Sequence, residues 1–371
     1  MEIRNPSETE LEDLIGQISA AFLYKEGEGG VATDFPQLYD PSNSKNLWAA
    51  FEGPRVVGHA GFYPAEMKVE GLALPVAGIG GVFSDPKNKG QGIGSTLVNK
   101  CVDQAKKQGC ALAFLWSDKH EFYGKLGFHL VGRQWTITLD PKHIPALTAR
   151  GNKNGLLADA LRFVAGDVSG AFLADSYDLQ ERLPLGIARS RAEHAILLAS
   201  GACTIFSAWA GDDLAAYFVI GKGKDLPNYV HEWAGDESAL HHLAAHVLGL
   251  ANRPLQVLSP QFMPDEVNWI YSLDEIGVPL RPEQMSFVKI LDFNKVKRLV
   301  MDYMNRMGLK AEDLSLATAG GRYQVIWRGG PPMEFSEEAF LLFLFGPEMP
   351  AHQELKAFLP LRLWYWGMDS V

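Results

Sequence analysis

Cysteine is scarce. Cys101, Cys110 and Cys203 are the only three, an odd number spaced too widely for a zinc knuckle. They give no disulfide framework, and a reducing cytoplasm is the expected home. Long apolar runs are also missing. The richest, "FLLFLFGPEM", ends at Gly346-Pro347, so no membrane-spanning segment is expected. The amino terminus, "MEIRNPSETELEDLIG", lacks a basic region followed by an apolar run, so no signal peptide is read. Positive charge is in deficit: 34 Lys and Arg stand against 44 Asp and Glu, a formal net charge of −10. That argues against nucleic acid as the main partner and is compatible with a cationic small substrate.

What is present supports two or three domains with proper cores: 371 residues, of which 47% are hydrophobic. Glycine is plentiful and locally concentrated. In "KNKGQGIGSTLVNKCVDQAKKQG", Gly90, Gly92 and Gly94 are spaced by single residues at the mouth of a predicted helix. Ile93, Leu97, Val98, Cys101, Val102 and Ala105 form its apolar face, and Gly109 stops it. A glycine turn that opens a helix offers free N–H groups and the positive end of the dipole, which suits phosphate.

The first 150 residues read as an amphipathic helix ("ETELEDLIGQISAAFLY") followed by two strands around Glu52–Arg55. Next come the strand "LPVAGIGGVFS", the glycine loop and its helix, and the buried strand "CALAFLWS". A short helix "HEFYGKLGF" and a closing strand "HLVGRQWTITL" complete the unit. Residues 151–285 read as a degraded second copy. "LWAAFEGPRVVGHA" (Leu47 to Ala60) aligns without gaps on "IFSAWAGDDLAAYF" (Ile205 to Phe218), pairing Phe51 with Trp209 and Val56 with Leu214. The copy carries "AGDESA" where the first has "KGQGIGS". Asp236 and Glu237 there would repel phosphate, so one cofactor per chain is expected. Residues 286–371 form a small α+β unit of different texture, with "MSFVKIL" as a strand.

Three phosphate loops compete for the glycines. A nucleotide-hydrolase loop needs Gly-Lys-Ser/Thr, which is absent. A dinucleotide fingerprint needs different spacing and an early acid on the next strand. The third is the acetyl-CoA loop of the GNAT N-acetyltransferases, Arg/Gln-x-x-Gly-x-Gly/Ala, which Lys89-Gly90-Gln91-Gly92-Ile93-Gly94 closely resembles, with Lys89 in place of the usual Arg or Gln. The resemblance extends to "FYGKLGF" (Phe122 to Phe128), similar to the family's Tyr-x-x-Leu/Phe-Gly-Phe/Tyr.

The resemblance implies that N–H groups from Gly90 to Ser95 hold the pyrophosphate of acetyl-CoA. Val82, Phe83 and Ser84 would line the pantetheine slot, flanked by Ser117 and Asp118. Tyr123 would be the general acid that protonates the leaving thiolate. Backbone N–H near Val82 or Phe83 would polarise the thioester carbonyl. Phe22, Tyr24, Phe35 and Phe83 are candidate walls for the acceptor.

A base is harder to find. The strand before the loop, "VAGIGGVF", holds no acid, and Glu66 and Asp85 read as solvated. His242 and His246 have metal-ligand spacing but no evident third ligand, so no metal is expected, and His120 reads as a cap or surface residue. The domain order resembles the enhanced intracellular survival type of acetyltransferase: a live GNAT domain, a degenerate one and a sterol-carrier-like α+β tail. That resemblance implies multi-site acetylation of aminoglycosides, hexamers built from trimers, and a base supplied by the chain's last carboxylate, here Val371. The unperturbed pKa of such a group, about 3.3–3.7, is low for a base, so desolvation or a water relay would be needed. Leu361, Leu363, Trp364, Tyr365 and Trp366 are too apolar for a loose tail. An aminoglycoside-like or polyamine-like acceptor is therefore expected. A protein lysine acetyltransferase and a non-catalytic acyl-CoA or lipid carrier remain alternatives.

Overall fold

A computed structural model describes residues 1–371 apart from 26, 154–156, 202, 262–267, 348–351 and 366. Three sheets organise the described residues. The first runs in the order Glu2–Arg4, Leu47–Glu52, Arg55–Val69, Leu72–Ser84, Leu112–Leu115, Ser286–Ile290, His129–Val131, and Gly186–Ala188 joins the far half of Arg55–Val69. The second runs Leu280–Glu283, Gln134–Leu139, Leu255–Pro260, Asp225–Gly235, Asp213–Lys222, Thr204–Ala210, Arg162–Ala165. A three-stranded antiparallel sheet (Leu314–Ala319, Arg322–Trp327, Met333–Phe335) lies with the helices Phe293–Arg306 and Glu337–Phe345 in the C-terminal α+β unit. Trp366 of the apolar tail falls outside the described residues.

The two large sheets repeat one another. In the first, Ala50 pairs with Gly58 and Phe51 with Val56, so the register slips by one residue. In the second, Ala208 pairs with Ala216 and Trp209 with Leu214, with the same slip. These are the positions that the sequence alignment superposes, so the two hairpins carry a bulge at matched places. The helices that follow also correspond. Ile93–Lys107 buries Ile93, Leu97, Val98, Cys101, Val102 and Ala105, and Glu237–Ala251 is the counterpart in the second unit.

The sheets also trade strands. "HLVGRQWTITL" is not one closing strand. Gly132, at φ +79°, breaks it, so His129–Val131 stays in the first sheet and Gln134–Leu139 crosses to the second. Conversely, Ser286–Ile290 leaves the C-terminal unit and inserts between Leu112–Leu115 and His129–Val131. The reason lies in the strand it meets. All four residues of Leu112–Leu115 are buried, so the backbone N–H and C=O groups on both of its edges need partners other than water. The Ser286–Ile290 strand supplies the second neighbour.

Candidate functional site

Leu72–Ser84 pairs in parallel with Leu112–Leu115 only at Val76, Ala77 and Gly78. From Ile79 onward it stays with Arg55–Val69 alone. The two parallel strands therefore part, and a cleft of about 1020 Å³ opens between Ile79–Ser84 and Leu115–Asp118. A bulge accompanies the parting: His59 pairs with Phe83 and Gly61 with Gly80. At that bulge Gly81 takes φ +61°, and its carbonyl meets His59 Nδ1 at 2.8 Å.

One end of the cleft is the glycine loop. Gly90 and Gly92 adopt φ +86° and +71°, the left-handed region where a side chain is strained. Gly92 is the N-cap of Ile93–Lys107 and offers no side chain to its first-turn N–H groups. Those donors face the cleft with Lys89, Gly94 and Ser95 on its wall. Gln91 is exposed and does not line it. A Cβ at Gly90 would meet nothing within 4 Å, so open space lies above the turn. A diphosphate fits such a cradle of outward N–H groups at a positive helix end.

Ser117, Asp118 and Tyr123 line the wall opposite Val82, Phe83 and Ser84. Tyr123 is buried, with ring centroids 4.9 Å from Phe122, 6.2 Å from Phe128 and 5.9 Å from Phe287. Phe287 belongs to the inserted strand, so that insertion braces the phenol. Burial raises the Tyr123 pKa, against a hydrogen bond with Ser117 that lowers it. The hydroxyl thus keeps its proton at neutral pH, as a donor to a thiolate must.

The other end is aromatic. Phe22, Tyr24, Phe35 and Tyr39 line it, and Phe22 meets Phe83 edge-on at 6.1 Å. Lys224 closes it, paired to Glu28 at 2.8 Å. Val371 reaches the same space. A side chain at residue 80 would collide with the Val371 carboxyl group, and one at residue 78 would strike the Tyr365 hydroxyl. Gly78 and Gly80 thus leave room for the end of the chain, a part that the sequence reading, which expected Val371 at this site, did not give them. Alternating glycines in an otherwise apolar strand are the available signal for such a close backbone approach.

Sequence reasoning also missed a buried pair beside the bulge. Tyr39 stacks on His59 at 5.8 Å, and its hydroxyl has no hydrogen-bond partner among the described residues. Burial pushes the His59 pKa down to about 4, opposed by the bond to Gly81, so the ring is neutral at physiological pH. Of the acids considered as bases, Asp85 is engaged with Arg55 and the Lys87 N–H. Glu66 is exposed and lines a different cavity. His120 lies against Phe287 at the start of the short helix, His242 is buried behind Gly151, and His246 stacks on Phe163.

The second unit has no equivalent loop. At its helix N-terminus, Asp236 accepts from the N–H of Ser238 (2.9 Å) and Ala239 (3.1 Å), while Glu237 pairs with Arg150 at 2.9 Å. The donors that would bind phosphate are consumed by the chain's own carboxylate.

Residues 2–131 match the acetyltransferase (GNAT) domain family. A segment of 58 residues is 43% identical to an uncharacterised N-acetyltransferase of Methanocaldococcus jannaschii, covering 14% of this chain and 26% of that protein. The chain thus spans about a quarter of that curated relative's length. Among solved structures, a GCN5-related N-acetyltransferase from Anabaena variabilis is similar over 98% of this chain and 94% of its own (TM-score 0.60, 13% identity). Eis1 from Mycobacterium abscessus is similar over 99% and 98% (TM-score 0.60, 13% identity). A GCN5-related N-acetyltransferase from Kribbella flavida is similar over 90% and 84% (TM-score 0.58, 17% identity). The fold is therefore a GNAT acetyltransferase domain, a second GNAT-like unit and a C-terminal α+β unit.

Proposed function

We propose that the protein is an N-acetyltransferase that moves the acetyl group of acetyl-CoA to a primary amine. One observation supports this above the rest: a glycine turn opening a helix, a pair of parted parallel strands, a buried tyrosine and the chain's last residue all border one cleft. In this reading the first-turn N–H groups and Lys89 take the pyrophosphate, and pantetheine lies along Val82–Ser84. The amine enters past Phe22, Tyr24 and Phe35. Its nitrogen attacks the thioester carbon while the Val371 carboxylate, directly or through a water, takes the proton. The carbonyl oxygen gains charge beside the backbone N–H groups of the bulge. Collapse breaks the C–S bond, and Tyr123 protonates the departing thiolate.

The acceptor belongs to the same reading. A cationic amine of aminoglycoside or polyamine type suits the net charge of −10 and the terminal carboxylate. A lysine side chain of a protein is the second candidate, and aromatic walls would clasp its alkyl stem. Three units with limits near 150 and 285, across which Gln134–Leu139 and Ser286–Ile290 are exchanged between the sheets, a sterol-carrier-like role for the C-terminal unit, a cytoplasmic setting and a homo-oligomer up to a hexamer complete the proposal. A thiol-release assay with acetyl-CoA and a panel of aminoglycosides, polyamines and lysine peptides tests it. Turnover with an amine supports the enzyme, and the preferred amine sets the class. Acetyl-CoA binding without turnover on any amine would favour the carrier reading instead.

A further inference from the structure

The segment Gly367–Val371 does not rest on the first unit alone. Lys222, 2% exposed at the end of Asp213–Lys222, donates to the carbonyls of Gly367 (3.0 Å), Met368 (2.9 Å) and Ser370. From the other side, Gln37 Nε2 reaches the carbonyls of Met368 (3.4 Å), Asp369 (3.1 Å) and Ser370 (3.2 Å). Every carbonyl from 367 to 370 thus accepts from one of two buried side chains, one from each unit. Arg189 adds a fork on the Asp369 carboxylate at 2.7 and 2.8 Å and holds Glu232 at 2.6 Å. Tyr217 donates to the other oxygen of Glu232 at 2.8 Å. Gly367 packs directly on His231, so the chain turns where only a glycine fits.

This assembly is costly for a tether. Burying Lys222, Arg189, Glu232 and Asp369 removes four charges from water, and such charges are tolerated only when paired and hydrogen-bonded. A tail held only by apolar packing would need none of them. The polar groups converge on the five residues whose last member sits against Gly80, at the bulge.

We propose that the second GNAT-like unit, which has lost its phosphate loop, serves as a socket that aims the end of the chain into the first unit's cleft. Lys222 and Arg189, with Gln37 facing them, are its positioning residues. They act through the tail and touch neither acetyl-CoA nor the amine. The inference rests on the reading of the Val371 carboxylate as base.

A double-mutant cycle tests it. Four proteins are compared at saturating acetyl-CoA with the best acceptor amine: the parent, Lys222→Met, a chain lacking Ser370 and Val371, and the combination. Lys222→Met is expected to lower kcat at least tenfold with CoA affinity unchanged by calorimetry. The deletion lowers kcat further, and the combination matches the deletion alone, because Lys222 has nothing left to aim. A merely structural role for Lys222 would instead add its loss to that of the deletion. Additive losses, or full kcat in Lys222→Met, overturn the socket while leaving the terminal base standing. Full kcat in the deletion overturns the terminal base, and the socket with it. If Lys222→Met does not fold, Gln37→Met runs the same cycle from the first unit without removing a buried charge.

Discussion

The Val371 carboxyl group occupies the space that a side chain at Gly80 would fill. One extra methyl on the strand and the last atoms of the chain cannot share that place. Gly80→Ala should therefore displace the tail from the bulge while leaving the glycine loop intact. The expected result is a fall in kcat of about 10²-fold or more, with CoA affinity by calorimetry unchanged. An active Gly80→Ala enzyme would show that the carboxylate is not needed there.

Tyr123→Phe removes one oxygen and keeps the ring against Phe122, Phe128 and Phe287. The loss should fall on kcat, by about 10²–10⁴-fold, the usual contribution of a general acid. Thermal unfolding should shift little. A better leaving group on the acyl donor should recover part of the rate in the variant, and absence of any recovery would count against the acid role.

Gly92→Val forces a β-branched residue into the left-handed region, at a cost of roughly 1–2 kcal/mol. The turn that aims the first N–H groups would open, and CoA affinity should fall at least tenfold. Circular dichroism should show a folded protein. Unchanged affinity would remove the diphosphate from this turn.

Asp236 holds the N–H groups of the second helix, so calorimetric titration should give one CoA per chain. Asp236→Ala should cost roughly 0.5–2 kcal/mol of stability as a lost cap. It should create no second CoA site, because the glycines of the first loop have no counterpart there. Two equivalents bound in either protein would contradict the degenerate reading of this unit.

Burial depresses the pKa of His59, His194 and His231 to about 4 and that of His241 to about 3. In the unfolded chain each imidazole takes a proton near pH 6.5. Between those values the unfolded state binds more protons, so their stabilisation is complete above about pH 6.5 and is lost as the pH falls towards 4. Thermal unfolding should show Tm dropping steadily across that window, with net proton uptake on unfolding. A Tm flat from pH 7 to 5 would contradict the burial of these rings.

The parts that were legible in the sequence are those with local causes. Gly90 and Gly92 could be read because positive φ at a helix mouth demands glycine whatever lies around it. The hairpin repeat could be read because Phe51 and Trp209 sit in strands at the same distance before matching glycine turns. What stayed hidden depends on distant partners. Nothing near Lys222 announces that its ammonium meets a carbonyl 145 residues later, and nothing near Arg189 names Asp369. The apolar pattern "MSFVKIL" gives a strand, but its sheet is decided by the open edges of Leu112–Leu115, far away in the chain.

That strand also bears on how the molecule is made. While the chain grows, Leu112–Leu115 has a neighbour on one side only until Ser286–Ile290 has emerged. Between those two points of synthesis the first sheet therefore carries an unpaired edge on a wholly apolar strand, the kind of surface on which chains stick to one another. Pairing across that separation is slow compared with local hairpins. A fragment ending near residue 150 would keep the edge permanently, so the first unit on its own should be recovered as aggregate. Fragments that extend past Ile290 should be the shortest to stay soluble.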